Sequence, residues 1–318
     1  MKQKTFHLKN GDTIPALGLG TWRSQPNETA DAIMAALENG YRYFDCAFIY
    51  RNEKEIGAAF SKAFASGIVK REDVWITSKL WNNRHKPEEV IPALRETLAD
   101  LQLDYLDLYL THWPVAYSSE VVFPEKPEHF YSPKELPLTE TWKGMEAALE
   151  AGLCRHIGVS NLNPVHLEKL TKSATHPPEF DQVECHPFLA QHELLEVCNK
   201  HGIILTAYSP LGTGKEKSPD APDVHTNPAL KSIANMHDVT PAQIAIAWAI
   251  QRGTNVIPKS NNPERQQQNL AASHIVLTAD EMSRIDSLDR NYRFVDGTQW
   301  TVMEGSPYTL EWLWESKA

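Results

Sequence analysis

Eight alternations of a short apolar run with an amphipathic helical pattern predict an α/β chain: a (β/α)8 TIM barrel with an N-terminal β-hairpin and a C-terminal extra helix and tail. The runs are short and continuous, as parallel strands buried on both faces are, which favours one closed barrel over two doubly wound domains. Three of them also end on polar residues that apolar packing gives no reason to choose. They are Tyr41-Arg42-Tyr43-Phe44-Asp45, Val74-Trp75-Ile76-Thr77-Ser78-Lys79 and Leu106-Asp107-Leu108-Tyr109-Leu110-Thr111-His112. The carboxyl ends of parallel barrel strands open onto one face, and that face carries the chemistry.

In order along the chain, residues 5–14 hold a polar turn, Asn10-Gly11-Asp12, between short runs and predict the hairpin. A strand at 17–20 leads to a helix at 28–39, stopped by Gly40. Strand 41–45 precedes helix 53–65, and strand 74–79 precedes helix 87–101, whose Pro87 suits a helix start. Strand 106–112 reaches helix 139–151 through a long loop. The second half repeats the pattern: strand 156–160 with helix 164–173, strand 180–184 with helix 191–201, strand 203–208 with helices 228–236 and 241–252, and strand 255–258 with helix 263–271. A last helix near 278–288 and an aromatic tail follow. Loops 115–138 and 211–227 are too long for plain connectors, and both follow strand carboxyl ends. They are expected to overhang the mouth as lids or specificity elements. One domain is expected over 1–318, with a specificity tail from about 289 to 318.

The 318 residues, 42% of them hydrophobic, can bury a large core. A net charge of −10 without a long basic run makes nucleic acid and anionic membrane surfaces poor partners. Met1-Lys2-Gln3-Lys4-Thr5 lacks the apolar stretch of a secretion signal, and no apolar run approaches bilayer-spanning length. Cys46, Cys154, Cys185 and Cys198 show no two-residue spacing, which argues against a zinc knuckle, a redox pair or a disulfide framework. Reduced thiols and a cytoplasmic location are expected. No His-Glu-x-x-His helix exists, so no metal is expected; His186 and His192 flank a Pro-containing turn and read as polar loop residues.

Tyr50 lies in the loop after the first polar-ended run, so an acid, a base, an imidazole and a phenol converge on one mouth. A phenol, with a pKa of about 10, is a reluctant acid at neutral pH. A nearby ammonium lowers that value by favouring the phenolate. Lys79 is placed to do this, Asp45 to keep Lys79 charged and oriented, and His112 to hydrogen-bond a substrate oxygen or relay the proton. Such a bidirectional acid–base suits interconversion of carbonyl and alcohol. The plainer alternative is a buried structural Asp45–Lys79 ion pair.

The stretch Gly40-Tyr41-Arg42-Tyr43-Phe44-Asp45-Cys46-Ala47-Phe48-Ile49-Tyr50-Arg51-Asn52-Glu53 resembles the first signature of the aldo-keto reductases. Ile76-Thr77-Ser78-Lys79-Leu80-Trp81 resembles their lysine motif, and Leu110-Thr111-His112-Trp113-Pro114 their histidine motif. The likeness runs from the hairpin to about Leu288. It implies a catalytic tetrad of Asp45, Tyr50, Lys79 and His112, with Tyr50 as general acid in reduction.

A proton-transfer site needs a source of electrons. Gly18-Leu19-Gly20 is a lone G-x-G without the third glycine, and Gly20-Thr21-Trp22 reads better as the first loop of the mouth. In Val256-Ile257-Pro258-Lys259-Ser260-Asn261-Asn262-Pro263-Glu264-Arg265 a strand ends, and Asn262-Pro263 looks like an N-cap and first helical position. Free N–H groups there, beside Lys259 and Arg265, suit a phosphate; a capped helix with solvated charges is the alternative. By resemblance, this stretch, with Lys259, Ser260, Asn261 and Arg265, is similar to the reductase segment that grips the adenosine phosphate of NADPH. The same resemblance implies that Ser160, Asn161 and Gln182 hold the nicotinamide amide and that Tyr208 stacks on its ring. It implies Ser209 and Leu211 at the diphosphate, Gln268 and Asn269 at adenine, and Gly20, Thr21 and Asp45 along the cofactor site. Two departures stand out. Thr213-Gly214-Lys215-Glu216-Lys217 lacks the acidic latch that many relatives carry in this loop, leaving Glu216, Asp220 or Asp223 as substitutes. Asn261 resembles the motif of dual-cofactor xylose reductases, so NADPH preferred with measurable NADH (NAD) use is the expectation.

Trp22, Trp81 and Trp113 follow closely on strand ends and are expected to wall the substrate pocket with Tyr50 and His112. Specificity is expected from loop 115–138 and from Phe294, Trp300, Met303 and Tyr308 of the tail. Arg23, Arg51 and Arg293 could meet a carboxylate or phosphate. Aldehydes, including open-chain aldoses, form the expected substrate class, and a monomer is the family-level default. Two competing readings are a Schiff-base aldolase using Lys79, and a non-catalytic, nicotinamide-sensing binding protein on the same barrel.

Overall fold

The N-terminal residues double back before the barrel begins. In the computed structural model, which describes residues 4–22, 24, 28–212 and 220–315, β1 (Thr5–His7) pairs antiparallel with β2 (Thr13–Pro15), Phe6 opposite Ile14. Eight parallel strands follow: β3 (Leu19–Gly20), β4 (Tyr43–Asp45), β5 (Trp75–Leu80), β6 (Leu106–Thr111), β9 (Cys154–Ser160), β10 (Phe180–Glu184), β11 (Ile204–Tyr208) and β12 (Asn255–Val256). Each hydrogen-bonds the next in that order. The first and last meet through parallel bridges, Leu17 with Val256 and Gly20 with Lys259, supported by Gly18 N to Val256 O at 2.8 Å. The sheet therefore curls round on itself, and the expected (β/α)8 fold is the observed one.

The helices α1 (Thr29–Asn39), α2 (Glu53–Ala65), α3 (Pro87–Leu101), α4 (Leu138–Glu150), α5 (Pro164–Ser173), α6 (His192–His201), α7 (Pro228–Met236), α8 (Pro241–Gln251) and α9 (Pro263–Ala271) connect the strands, with α10 (Ala279–Asp286) after them. Proline opens α3, α5, α7, α8 and α9, where its missing N–H costs no intrahelical bond. Thr240 with Gln243 and Thr278 with Glu281 form capping boxes that start α8 and α10.

Three apolar layers result. Tyr43, Trp75, Leu108, Leu110, Phe180 and Ile257 cluster between the strands, and Leu8 and Ile14 of the hairpin join them as a plug. Asp12 ties that hairpin down through Arg155 (2.7 Å) and His156 (3.1 Å). A second, larger layer lies between sheet and helices. The third is aromatic and sits at the strand carboxyl ends, where Trp81, Trp113, Tyr117, Phe130, Trp300 and Tyr308 pack together.

Some boundaries differ from expectation. β12 stops at Val256, because Pro258 has no N–H to continue a ladder. Loop 115–138 is not plain loop: β7 (Ala116–Tyr117) pairs antiparallel with β8 (Phe130–Tyr131). Tyr308 of the tail donates its hydroxyl to Tyr131 O (2.8 Å) and accepts from Ala116 N (2.9 Å), locking that hairpin. The tail itself contains a short helix, α11 (Leu310–Trp314), capped by Thr309.

Gly57 permits the close approach of α2 to the end of α3. A Cβ there would lie 2.4 Å from Asp100 O and 2.6 Å from Leu101 C. Backbone cannot yield as a flexible side chain does, so Gly57→Ala should destabilise the protein by roughly 1–3 kcal/mol. Denaturant or thermal melts check this, and a change under about 0.5 kcal/mol, the range of an ordinary surface substitution, would contradict the contact.

Candidate active site

Strand register brings the polar ends together. Asp45 closes β4, Lys79 is the last residue but one of β5, and His112 follows directly on β6. Tyr50 ends a single 3-10 turn, Phe48–Tyr50, between β4 and α2. Lys79 Nζ donates to Asp45 Oδ2 (2.6 Å), to Cys46 O (2.9 Å) and to the Tyr50 hydroxyl (3.5 Å). Both ions are buried, Lys79 at 1% and Asp45 at 2% exposure. Such a pair is viable only if its remaining hydrogen-bonding capacity is met. Gln182 Nε2 meets it by donating to Asp45 Oδ1 at 2.7 Å.

His112 completes the group. Its ring lies edge-on to Tyr50 (centroids 5.8 Å) and to Trp81 (5.1 Å). Its backbone is pinned on both sides, N–H to Leu80 O (3.0 Å) and O from Asn161 Nδ2 (2.9 Å). Burial and then the Lys79 charge hold the imidazole well below its usual pKa, so it is neutral at physiological pH and carries one N–H donor.

The phenol departs from expectation. Lys79 was expected to pull the Tyr50 pKa down. Instead burial pushes it well above 10, and the negative charge of Asp45 adds to the effect. Asp45 already balances the Lys79 ammonium. Tyr50 therefore keeps its proton across neutral pH.

The residues expected at a cofactor are arranged along the next strand ends. Ser160 Oγ donates to Gln182 O (2.6 Å), Asn161 Nδ2 reaches Ser160 Oγ (3.1 Å), and Tyr208 OH donates to Asn161 Oδ1 (2.8 Å). Asn161 and Ser209 sit in the left-handed region, at φ 62° and 46°, where the chain turns off β9 and β11. Leu211 is half-buried behind them. Thr21 donates both N–H and Oγ1–H to Asp45 O, linking the first loop to the tetrad beside Gly20. At the far end, Asn262 Oδ1 caps Arg265 N at 3.0 Å, and Ser260 Oγ bonds Asn262 N. Lys259, Arg265 and Gln268 are exposed there, and Asn269 is buried. Of the latch candidates, Glu216 lies outside the described residues, and Asp223 caps His225 N (2.8 Å).

The three tryptophans do not share one environment. Trp81 touches His112 and is held by its Nε1–H to Val122 O (2.8 Å). Trp113 packs into the tail, against Trp300 (5.9 Å) and Trp314 (6.0 Å). Trp22 is 37% exposed. Trp300 is 2% exposed and wedged between Trp81 and Trp113, while Phe294, Met303 and Tyr308 lie around the root and rim of the same tail. Arg51 and Arg293 lie over Phe48 and Trp314, and Arg23 lies outside the described residues.

Two acidic residues went unrecognised in sequence. His186 lies in the loop after β10 and is wholly buried, its Nε2 meeting the equally buried Glu184 at 2.9 Å. Glu184 also accepts from Phe294 N (2.7 Å) and Val295 N (2.8 Å), so it anchors the root of the tail to the end of β10. Glu53, at the start of α2, accepts from Ser78 Oγ (2.5 Å) and Thr97 Oγ1 (3.2 Å), and Ser78 precedes Lys79 on β5. Only its spacing after Tyr50 hinted at a role. Burial raises the Glu53 pKa from 4.5 to about 7, against the lowering effect of those hydroxyls.

A carboxyl whose folded pKa exceeds its unfolded value keeps its proton longer in the native state. Its ionisation therefore costs stability as pH rises from the unfolded pKa through about 7, by roughly 3 kcal/mol for a shift of this size. Glu53→Gln removes that dependence. The variant should gain stability relative to the parent between pH 5 and pH 8, and a stability difference independent of pH in denaturant melts would refute the shift.

Comparison with known proteins agrees with this geometry. Residues 16–290 match the model of the Aldo/keto reductase family. An aldo/keto reductase of Synechocystis sp. is 52% identical over 316 residues, 98% of this chain and 96% of that protein. The aldo-keto reductase family 1 member A1 of Gallus gallus is 47% identical over 292 residues (91% and 89%), and the human one is 42% identical over 292 residues (91% and 90%). With the barrel closed and these motifs at its carboxyl rim, the chain belongs to the aldo/keto reductase family and is an NAD(P)H-dependent oxidoreductase acting on carbonyl groups.

Proposed function

We propose that this protein reduces aldehydes, among them open-chain aldoses, reversibly to alcohols, with NADPH preferred, NADH usable and Tyr50 as the general acid. The observation that carries this reading is the convergence of Lys79 Nζ on Asp45 (2.6 Å) and the Tyr50 hydroxyl (3.5 Å) beside a neutral His112. The donor set fits a nicotinamide dinucleotide. Ser160, Asn161 and Gln182 present amide and hydroxyl groups for the carboxamide, with Tyr208 beside them. Lys259 and Arg265 flank the capped start of α9 for the adenosine phosphate. When bound, that cofactor supplies the hydride.

His112 donates its single N–H to the substrate oxygen and sets its orientation. Tyr50 delivers the proton to the same oxygen, and Lys79 stabilises the phenolate left behind, with Asp45 keeping Lys79 charged and fixed. In the reverse direction the phenolate is the base. Trp81 and Trp300 close one side of the site with apolar surface, which keeps water from the reacting centre. A Schiff-base role for Lys79 would require freeing an ammonium that is 1% exposed and held by Asp45 and Cys46 O.

General acids contribute roughly 10²–10⁴-fold, so Tyr50→Phe should lower kcat by that order while NADPH affinity, read by fluorescence, changes little. A variant that keeps most of its activity removes Tyr50 from the role. Because the Tyr50 pKa is raised, reduction should stay flat through neutral pH and decline only in strong alkali, whereas alcohol oxidation should climb with pH. A reduction rate that falls between pH 7 and 9 contradicts the assignment. Lys259→Ala and Arg265→Ala should weaken NADPH more than NADH; equal losses would overturn the phosphate assignment.

A further inference from the structure

The adenosine end of the site contains a carboxylate that the mechanism above leaves without a role. Glu28, exposed just ahead of α1, accepts a hydrogen bond from Asn261 Nδ2 at 2.9 Å. The other end of that amide is also engaged, since Ser24 Oγ donates to Asn261 Oδ1 at 3.1 Å. Asn261 is thus clamped across the mouth by two residues of the segment after β3, 237 and 233 positions away in sequence. Its amide is already spent on the protein. What it holds in place is a full negative charge.

That charge belongs to the same neighbourhood as the cations. Glu28 acts electrostatically on Lys259, favouring its ammonium against the effect of burial. Glu264 adds a second carboxylate in the first turn of α9, one residue before Arg265. Lys259 and Arg265 thus share this end of the mouth with two carboxylates, Glu28 and Glu264. A phosphate monoester carries about −1.5 to −2 charges at neutral pH and is repelled by a neighbouring carboxylate. A bare ribose offers hydroxyl donors instead. In dinucleotide-binding folds an acidic side chain receives the ribose 2′-hydroxyl, whereas an arginine accommodates the 2′-phosphate. Here both are present.

We propose that Glu28, held by Asn261, is a cofactor-selecting residue that opposes the 2′-phosphate of NADPH and accepts the free ribose hydroxyls of NADH. Dual cofactor use, expected of Asn261 from its resemblance, then falls to the carboxylate that this amide positions. The inference rests on the nicotinamide reading above.

Dissociation constants of NADPH, NADH and adenosine 2′,5′-bisphosphate for the full chain, measured by quenching of tryptophan fluorescence, test it. For an exposed charge acting over a few ångströms, Glu28→Gln should tighten NADPH and the bisphosphate by roughly three- to tenfold, and this gain should shrink at high salt. NADH should bind unchanged or more weakly. Glu28→Ala should shift the NADPH/NADH ratio the same way. An unchanged ratio in both variants overturns the proposal. So does an equal loss for both nucleotides, which would make Glu28 merely a support for Asn261. A wild-type chain that binds both nucleotides while the ratio ignores Glu28 sinks this inference alone; one that binds neither sinks the nicotinamide reading and this inference with it.

Discussion

A lysine and an aspartate buried at 1% and 2% exposure govern the rest of the site. Removing two ions from water costs several kcal/mol per ion, and mutual attraction offsets it only when every remaining donor and acceptor is engaged. The barrel meets that demand from separate strands. Asp45 comes from β4, Lys79 from β5, and Gln182 from β10 supplies the hydrogen bond that Asp45 would otherwise lack. Cys46 O receives a second Lys79 proton, which leaves the third pointing to Tyr50. The ion pair thus orients the lysine. Gln182 is tied to Lys79 through the same carboxylate.

The mouth above this pair is rigid for a different reason. Trp81, Trp113 and Trp300 pack as a continuous aromatic wall, and hydrogen bonds from Tyr308 and Trp81 lock the inserted β7–β8 hairpin against it. Glu184 clamps the beginning of the tail by two backbone N–H groups, so the wall is fixed at its root as well. Three segments far apart in the chain therefore form one surface. The segment from Lys259 to Arg265 contrasts with this: its charged side chains are exposed, and Glu28 bonds Asn261 within it.

Much of this was legible from residues alone. The helices 87–101, 164–173, 228–236 and 263–271 carry their own start signal in proline, and their observed limits match the expected ones, as do those of helix 53–65. The tetrad was legible because each member ends a strand or follows one closely, within a contiguous motif. Less legible were the β7–β8 hairpin and α11, which are too short to show a period and exist because Tyr308, Trp312 and their neighbours pack against distant residues. The burial of His186 was not legible either, because Phe294, which packs on it, comes from the distant tail.

By itself, then, the sequence determined the barrel, its order of elements and the identity of the four groups at its mouth, because hydrophobic period, caps and motif spacing are local properties. The tertiary structure alone decided how those groups ionise. Tyr50 is a held proton rather than a lowered pKa, Glu53 titrates near neutrality, and His112 stays uncharged. It also decided that Asn261 holds Glu28 across 233 residues. Burial and charge depend on every neighbour in space, and neighbours of that kind are set by chain closure rather than by spacing along the chain.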